Sequence, residues 1–170
     1  PRQAFLLVAV EGFTHAQAAE VLDVSDQEFA SLLDQASHEI SRQVATEIMI
    51  IEDEPLIAMD IEQMVESLGH KVVSIARTHA EAVSLFNQTQ PRMILADIQL
   101  ADGSSGIDAV NDILNTHSVP VIFITAFPER LLTGERPEPT FLVTKPFNPE
   151  MVKALISQAL FFEDGSRAAA

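Results

Sequence analysis

Two rhythms of apolar and polar residues run along the chain, and the change falls near Thr46. Before it, apolar positions recur at helical spacing through RQAFLLVAVEG, THAQAAEVL and SDQEFASLLDQASHEISRQV, the repeat expected when one face of a helix is buried. Thr14 with Gln17, and Ser25 with Glu28, have the spacing of capping boxes, in which each partner satisfies an orphan backbone donor of the other. Gly12 and the pair Asp23-Val24 break the helices. The stretch VLDVSDQEFASLLDQ (21–35) thus has the cadence of a helix-turn-helix.

After Thr46, five short apolar runs alternate with amphipathic stretches. The runs are EIMIIED (47–53), KVVSIA (71–76), RMILADI (92–98), PVIFITA (120–126) and TFLVTK (140–145). Between and after them lie PLIAMDIEQMVESLG, HAEAVSLFNQ, SGIDAVNDILNTH and NPEMVKALISQAL; in the first, Ile57, Ile61, Met64, Val65 and Leu68 form one stripe. Buried strands alternating with helices predict an α/β fold, a doubly wound parallel sheet of five strands with about five helices. The segment FPERLLTGERPEP leaves room for little more than one helical turn around Glu129–Leu132, and GSRAAA reads as a loose end. The expected division is a helical segment over 1–45 and the α/β domain over 46–164. About 45 residues are too few to hold a core alone, so the helices should pack on the α/β domain, on an upstream region or on a partner.

Charge narrows the partners. The net charge is −15. Residues 1–47 carry two basic residues, Arg2 and Arg42, against eight acidic ones, which gives −6; the remainder carries −9. Phosphate contacts dominate nucleic-acid affinity, so an anion without a basic patch argues against DNA and RNA, and an acidic membrane surface would repel it too. A basic protein surface or a divalent cation would be attracted. No apolar run approaches the roughly 18 residues of a membrane span, and the start PRQAFLLVAV has no signal-peptide pattern. With no cysteine in the chain, the cytoplasm is the expected compartment. Residue 1 is Pro, which reads as a piece of a longer chain. The five histidines show no ligand spacing.

A doubly wound sheet binds ligands beyond the carboxyl ends of its strands, and the residues there carry chemistry. The first strand ends in Glu52-Asp53-Glu54, the third in Asp97, the fourth in Thr125-Ala126 and the fifth in Lys145-Pro146-Phe147. Converging carboxylates repel and lose hydration, so they persist where a cation neutralises them; oxygen-only ligands in a partly open site favour Mg²⁺. One carboxylate can then act as nucleophile towards a phosphoryl group, with a hydroxyl and an ammonium to stabilise its oxygens. An Asp after a strand is often only a helix cap, and Lys-Pro is ordinary loop chemistry. The conjunction, each group after the right strand and in order, favours the phosphoryl site.

In these strand ends, residues 47–162 resemble the receiver domain of response regulators, a flavodoxin-like fold. The resemblance implies that Asp97, in MILADIQLADG, is the phospho-acceptor and that a sensor histidine kinase is the phosphodonor. It implies that Asp53 and Asp97 bind Mg²⁺, with Glu52 directly or through water and with the main-chain carbonyl of Gln99. Thr125 would be the switch hydroxyl, and Lys145 would pair with the phosphoryl group. One departure is plain: receivers usually place an aromatic three residues before the lysine, and here that position is Leu142, with Phe141 on the opposite face of the strand.

The segment RQAFLLVAVEGFTHAQAAEVLDVSDQEFASLLDQASHEI resembles the promoter-reading region 4 of an extracytoplasmic-function sigma factor. A true region 4 carries Arg or Lys along its second helix to hold phosphates. Here that helix presents Asp26, Gln27, Glu28, Asp34 and Gln35. Sigma-like helices followed by a receiver resemble the PhyR-type anti-anti-sigma response regulators. The resemblance implies a phosphorylation-gated switch that sequesters a small NepR-type anti-sigma factor by sigma-factor mimicry in the general stress response. Asp26, Glu28 and Asp34 would face the partner, and a further sigma-like region would precede Pro1. The rival readings are a DNA-binding response regulator and a phosphoryl relay with inert helices.

Overall fold

In the computed structural model, residues 1–43, 45–131 and 140–169 are described. The elements run α1 (Arg2–Ala9), α2 (His15–Leu22), α3 (Asp26–Gln43), β1 (Glu47–Ile51), α4 (Pro55–Ser67), β2 (Lys71–Ala76), α5 (His79–Thr89), β3 (Met93–Ala96), α6 (Gly106–Leu114), β4 (Val121–Thr125), a 3₁₀ turn (Pro128–Leu131), β5 (Thr140–Thr144) and α7 (Pro149–Ala169). All five predicted strands are present. Their order is β2-β1-β3-β4-β5 and every pairing is parallel, the flavodoxin-like order with its switch point between β1 and β3.

The chain forms two compact units, Ala45–Asn148 and Pro1–Val44 with Pro149–Ala170. In the first, β1, β3 and β4 are buried on both faces, which is why their sequences are unbroken apolar runs with no alternation. One face packs Met49, Ile51, Ile94, Ala96 and Phe123 against Phe86 of α5 and Ala109, Val110 and Ile113 of α6. On α4 the predicted stripe is buried at Ile61, Met64, Val65 and Leu68, with Ala58 beside it and Ile57 half-buried.

In the second unit, both capping boxes form. Thr14 and Ser25 each accept a bond from the backbone N–H three residues on, at 3.3 and 3.2 Å, while Gln17 and Glu28 reach back to the backbone N–H groups of Thr14 and Ser25 at 3.0 and 2.9 Å. Asp23 closes α2 in the left-handed region at φ 54°, a conformation that Asp tolerates better than most residues. Phe5, Ala18, Ala19, Phe29, Leu33 and Ala36 form the core, and Ala154 of α7 packs against it. Phe161 of α7 meets the ring of Phe5 edge-on at 5.6 Å, and the Ser157 hydroxyl donates to the Ser37 carbonyl at 3.4 Å.

Two details depart from the sequence expectations. The helix after Lys145-Pro146 groups with residues 1–44 and not with the sheet. It also continues through Ser166-Arg167-Ala168-Ala169 where a loose end was expected, and Ala and Arg are good helix formers. Between β4 and β5 the 3₁₀ turn Pro128–Leu131 stands where little more than one helical turn around Glu129–Leu132 was expected; the rest of the segment read as Pro- and Gly-rich, 132–139, lies outside the described residues.

Candidate phosphoryl-acceptor site

Four strand ends build the site. β1 delivers Glu52 and Asp53, and the Glu52 N–H bonds back to the Ala76 carbonyl at 2.9 Å, so pairing with β2 continues one residue past the strand. β3 delivers Asp97, whose N–H donates to the Ile51 carbonyl at 2.8 Å. β5 delivers Lys145, whose N–H donates to the Thr125 carbonyl of β4 at 2.8 Å; the Lys145–Pro146 peptide is cis.

At the centre is a charge balance. The Lys145 ammonium donates to Glu52 Oε2 at 2.8 Å and to Asp97 Oδ2 at 2.9 Å. Glu52 is 2% exposed and Asp97 7%. Burial pushes the Glu52 carboxyl up to about 7, against the opposing pull of Lys145. Burial also opposes the charge of Lys145, but its hydrogen bonds to the two carboxylates outweigh this and hold its pKa above the ordinary lysine value. Asp97 Oδ1 accepts the Ile98 N–H at 2.7 Å, so Oδ2 is the oxygen that faces the ammonium.

Glu52, Asp53 and Asp97 each present a carboxylate oxygen, and these lie within 4.8 Å of one another. A close all-oxygen set of this kind fits a hard divalent cation such as Mg²⁺. Gln99 is exposed on the loop that follows Asp97. Thr125 is fully buried at the end of β4, and its hydroxyl accepts the Phe127 N–H at 3.0 Å. Leu142 is 39% exposed, whereas Val143 is buried and Phe141 half-buried; this alternation sets Phe141 on the other face from Leu142.

The predicted partner-facing residues lie together on α3 with different commitments. Asp26 is exposed. Glu28 is spent on the cap of Ser25, whose N–H and hydroxyl hold its carboxyl below the usual range. Asp34 Oδ2 lies 3.7 Å from His38, and its Oδ1 is buried without a hydrogen-bond partner.

Two contributors went unrecognised in sequence. A Cβ on Gly106 would overlap the Asp97 carbonyl oxygen and lie 2.9 Å from its carbon, so only glycine lets α6 begin this close to Asp97. The signal was the glycine directly before a helix, in SSGID. Arg77, at the end of β2, donates to the Asp53 carbonyl at 3.4 Å, and nothing in its local sequence indicated this.

A 2-1-3-4-5 parallel sheet with a buried Asp after β3, an acidic pair after β1 and a lysine after β5 defines a response-regulator receiver. Residues 48–157 match the response regulator receiver domain, and residues 1–43 match the sigma-like domain of the response regulator PhyR. The chain belongs to the PhyR family of response regulators. It is 61% identical over 168 residues to the phyllosphere-induced regulator PhyR of Methylorubrum extorquens, covering 98% of this chain and 63% of that protein. The crystal structure of PhyR from Brucella abortus superposes with a TM-score of 0.78 at 77% identity, covering 99% of this chain and 70% of that one. A co-crystal structure of the anti-anti-sigma factor PhyR with the anti-sigma factor NepR, from Bartonella quintana, matches at 72% identity and a TM-score of 0.53, over 95% and 66% of the two chains. The chain thus spans about two thirds of the length of these relatives. Among the described residues, no helix is long and apolar enough to cross a membrane.

Proposed function

We propose that this chain is the sigma-region-4-like and receiver portion (residues 1–45 and 46–164) of a phosphorylation-gated switch that sequesters a small NepR-type anti-sigma factor by sigma-factor mimicry. Asp97 is the acceptor, a sensor histidine kinase in the cytoplasm the donor, and Mg²⁺ the cofactor. The observation that carries this reading is that the helix beginning four residues after the site lysine, α7, packs within the sigma-like helices through Phe161, Ser157 and Ala154.

In the chemical step, Asp97 Oδ2 attacks the phosphorus of a phosphohistidine. The P–O bond forms as the P–N bond breaks, and the imidazole leaves with the electron pair. Glu52, Asp53, Asp97 and the Gln99 carbonyl would hold Mg²⁺, which when bound supplies positive charge for the phosphoryl oxygens. Lys145 exchanges its carboxylate partner for a phosphoryl oxygen, and the Thr125 hydroxyl is the second donor. Both changes act at the ends of β4 and β5, and β5 is the strand whose chain leads into α7. Release of α7 then uncovers the Phe5 and Ser37 side of the sigma-like helices, beside an acidic face of α3 on which Asp26, Glu28 and Asp34 would meet a basic partner surface. The same face would set carboxylates against DNA phosphates, which disfavours a DNA-reading role.

The test is calorimetric titration of a NepR-type anti-sigma factor into the full-length protein, with and without Mg²⁺ and beryllofluoride. Tighter binding with beryllofluoride, lost in Asp97→Asn, is expected. Equal binding in all four conditions would overturn the gating.

A further inference from the structure

The loop between Asp97 and Gly106 is a miniature hairpin. Gln99 and Ser105 form an antiparallel bridge, flanked by Leu100 N–H to the Ser104 carbonyl at 3.1 Å and Gly106 N–H to the Ile98 carbonyl at 2.6 Å. Those bonds belong to the residues on either side of Gln99. In such a pair the middle residue turns its own N–H and C=O away from the partner strand. The Gln99 carbonyl therefore points out of the hairpin, and among the described residues no backbone donor meets it.

Apolar anchors hold the base, since Ile98 and Leu100 are buried. The far arm is held by Ser104. Its hydroxyl donates to Asp102 Oδ1 and accepts the backbone N–H of His79, the first residue of α5, at 3.1 Å. Asp102 Oδ1 also takes the Ser104 N–H at 3.0 Å. His79 is in turn fixed across to α6, with Nε2 2.6 Å from Asp112 Oδ2. One hydroxyl thus ties the acceptor loop to a helix that is itself braced.

We propose that Ser104 is a positioning residue of the acceptor site: by tying the hairpin to α5 it fixes the direction of the Gln99 carbonyl. This rests on the reading above that Gln99 and the three carboxylates hold Mg²⁺. Loss of the hydroxyl leaves the His79 N–H without its acceptor and the hairpin held at its base alone. The carbonyl then samples more directions, and the cation loses a preset ligand.

The test is titration of Mg²⁺ into the isotope-labelled full-length protein, followed through backbone amide shifts, with amide hydrogen exchange measured on the same samples. Ser104→Ala should weaken Mg²⁺ binding about tenfold, the lower range for losing an outer support of a metal ligand, and should speed exchange at the His79 amide. Ser104→Thr should restore both. Asp102→Ala, at an exposed position, should shift both in the same direction and decides the matter if Ser104→Ala does not fold. Mg²⁺ affinity within twofold of wild type in Ser104→Ala, or in Asp102→Ala where Ser104→Ala does not fold, would overturn the positioning role. Failure of wild type itself to bind Mg²⁺ would overturn the metal reading and this role with it, whereas an intact wild-type response with an indifferent Ser104 removes only the latter.

Discussion

Replacing Lys145 with Met removes a charge from the centre of the acceptor site while keeping an unbranched side chain of similar reach. In the native protein, that ammonium sits 2.8 Å from Glu52 and 2.9 Å from Asp97, both nearly sealed from water. Removing one partner from a buried ionic cluster costs about 3–5 kcal/mol, because the remaining charges stay desolvated and unpaired. Protonation of one carboxyl recovers part of that. Glu52 is the group that would take the proton, since burial already holds it near 7 with Lys145 present.

The pH dependence has a definite sign. A carboxyl with a folded pKa above its unfolded value of 4.5 keeps its proton longer in the folded state. Its contribution to stability therefore falls as pH rises from about 4.5 through about 7. In Lys145→Met the window extends further upward, because the lysine that opposed the shift is gone. Urea unfolding of the metal-free proteins should show a deficit for the variant that is larger at about pH 8 than at about pH 6. Saturating Mg²⁺ should then stabilise the variant more than the wild type, since a dication takes over the neutralisation. A deficit below about 1 kcal/mol at the higher pH, the range of an exposed ion pair, would contradict a desolvated cluster neutralised by Lys145. So would equal stabilisation of both proteins by Mg²⁺.

Gly106→Ala should cost about 1–3 kcal/mol, the range for forcing atoms into packed space, and should abolish labelling of Asp97 by a small-molecule phosphodonor, because the new methyl displaces the acceptor's own carbonyl. Ser37→Ala should act in the opposite sense: it deletes a buried hydroxyl that finds no partner, strengthens the α3–α7 packing by about 1 kcal/mol, and so weakens unphosphorylated binding of the anti-sigma factor severalfold by calorimetry. His70, 4% exposed, accepts the Thr46 N–H on Nδ1 at 3.2 Å, and burial holds its pKa below 6.5. Its contribution to stability is present above about pH 6.5 and is lost as pH falls towards the lower folded value; thermal melts of His70→Gln should show a smaller acid loss than wild type.

The sheet and the gathering of charged residues at its strand ends were legible because they rest on local pattern and chain order. Each apolar run is short enough to be a strand, and each charged residue directly follows one, so topology alone gathers Glu52, Asp53, Asp97 and Lys145 and sets Thr125 at the same edge, as the last residue of β4. What stayed hidden depends on distance in sequence. The bond from Ser157 to Ser37 spans 120 residues, and the stripe that α7 lends to the sigma-like helices looks like any receiver-domain helix face. The commitment of Glu28 was half legible: the same spacing that marked a capping box also withdrew that carboxylate from the free acidic face. Gly106 was visible as a helix-start glycine, but the carbonyl that it accommodates belongs to a residue nine positions earlier.

The proposed coupling needs few intermediaries. Lys145 touches Asp97, and only three residues separate it from Pro149, the first residue of α7. In the proposed switch, a side chain that trades a carboxylate for a phosphoryl oxygen would therefore pull on the chain that leads into the helix completing the sigma-like core. Moving such an equilibrium from 1:99 to 99:1 takes about 5.5 kcal/mol. The packed state brings part of that imbalance with it, because Ser37 Oγ is buried without a partner on the helix that α7 packs against, a burden of about 1–3 kcal/mol that water would relieve on opening. Closure with built-in polar cost would leave less for phosphorylation and partner binding to supply, so that on the proposed coupling one modified carboxylate would suffice as the signal.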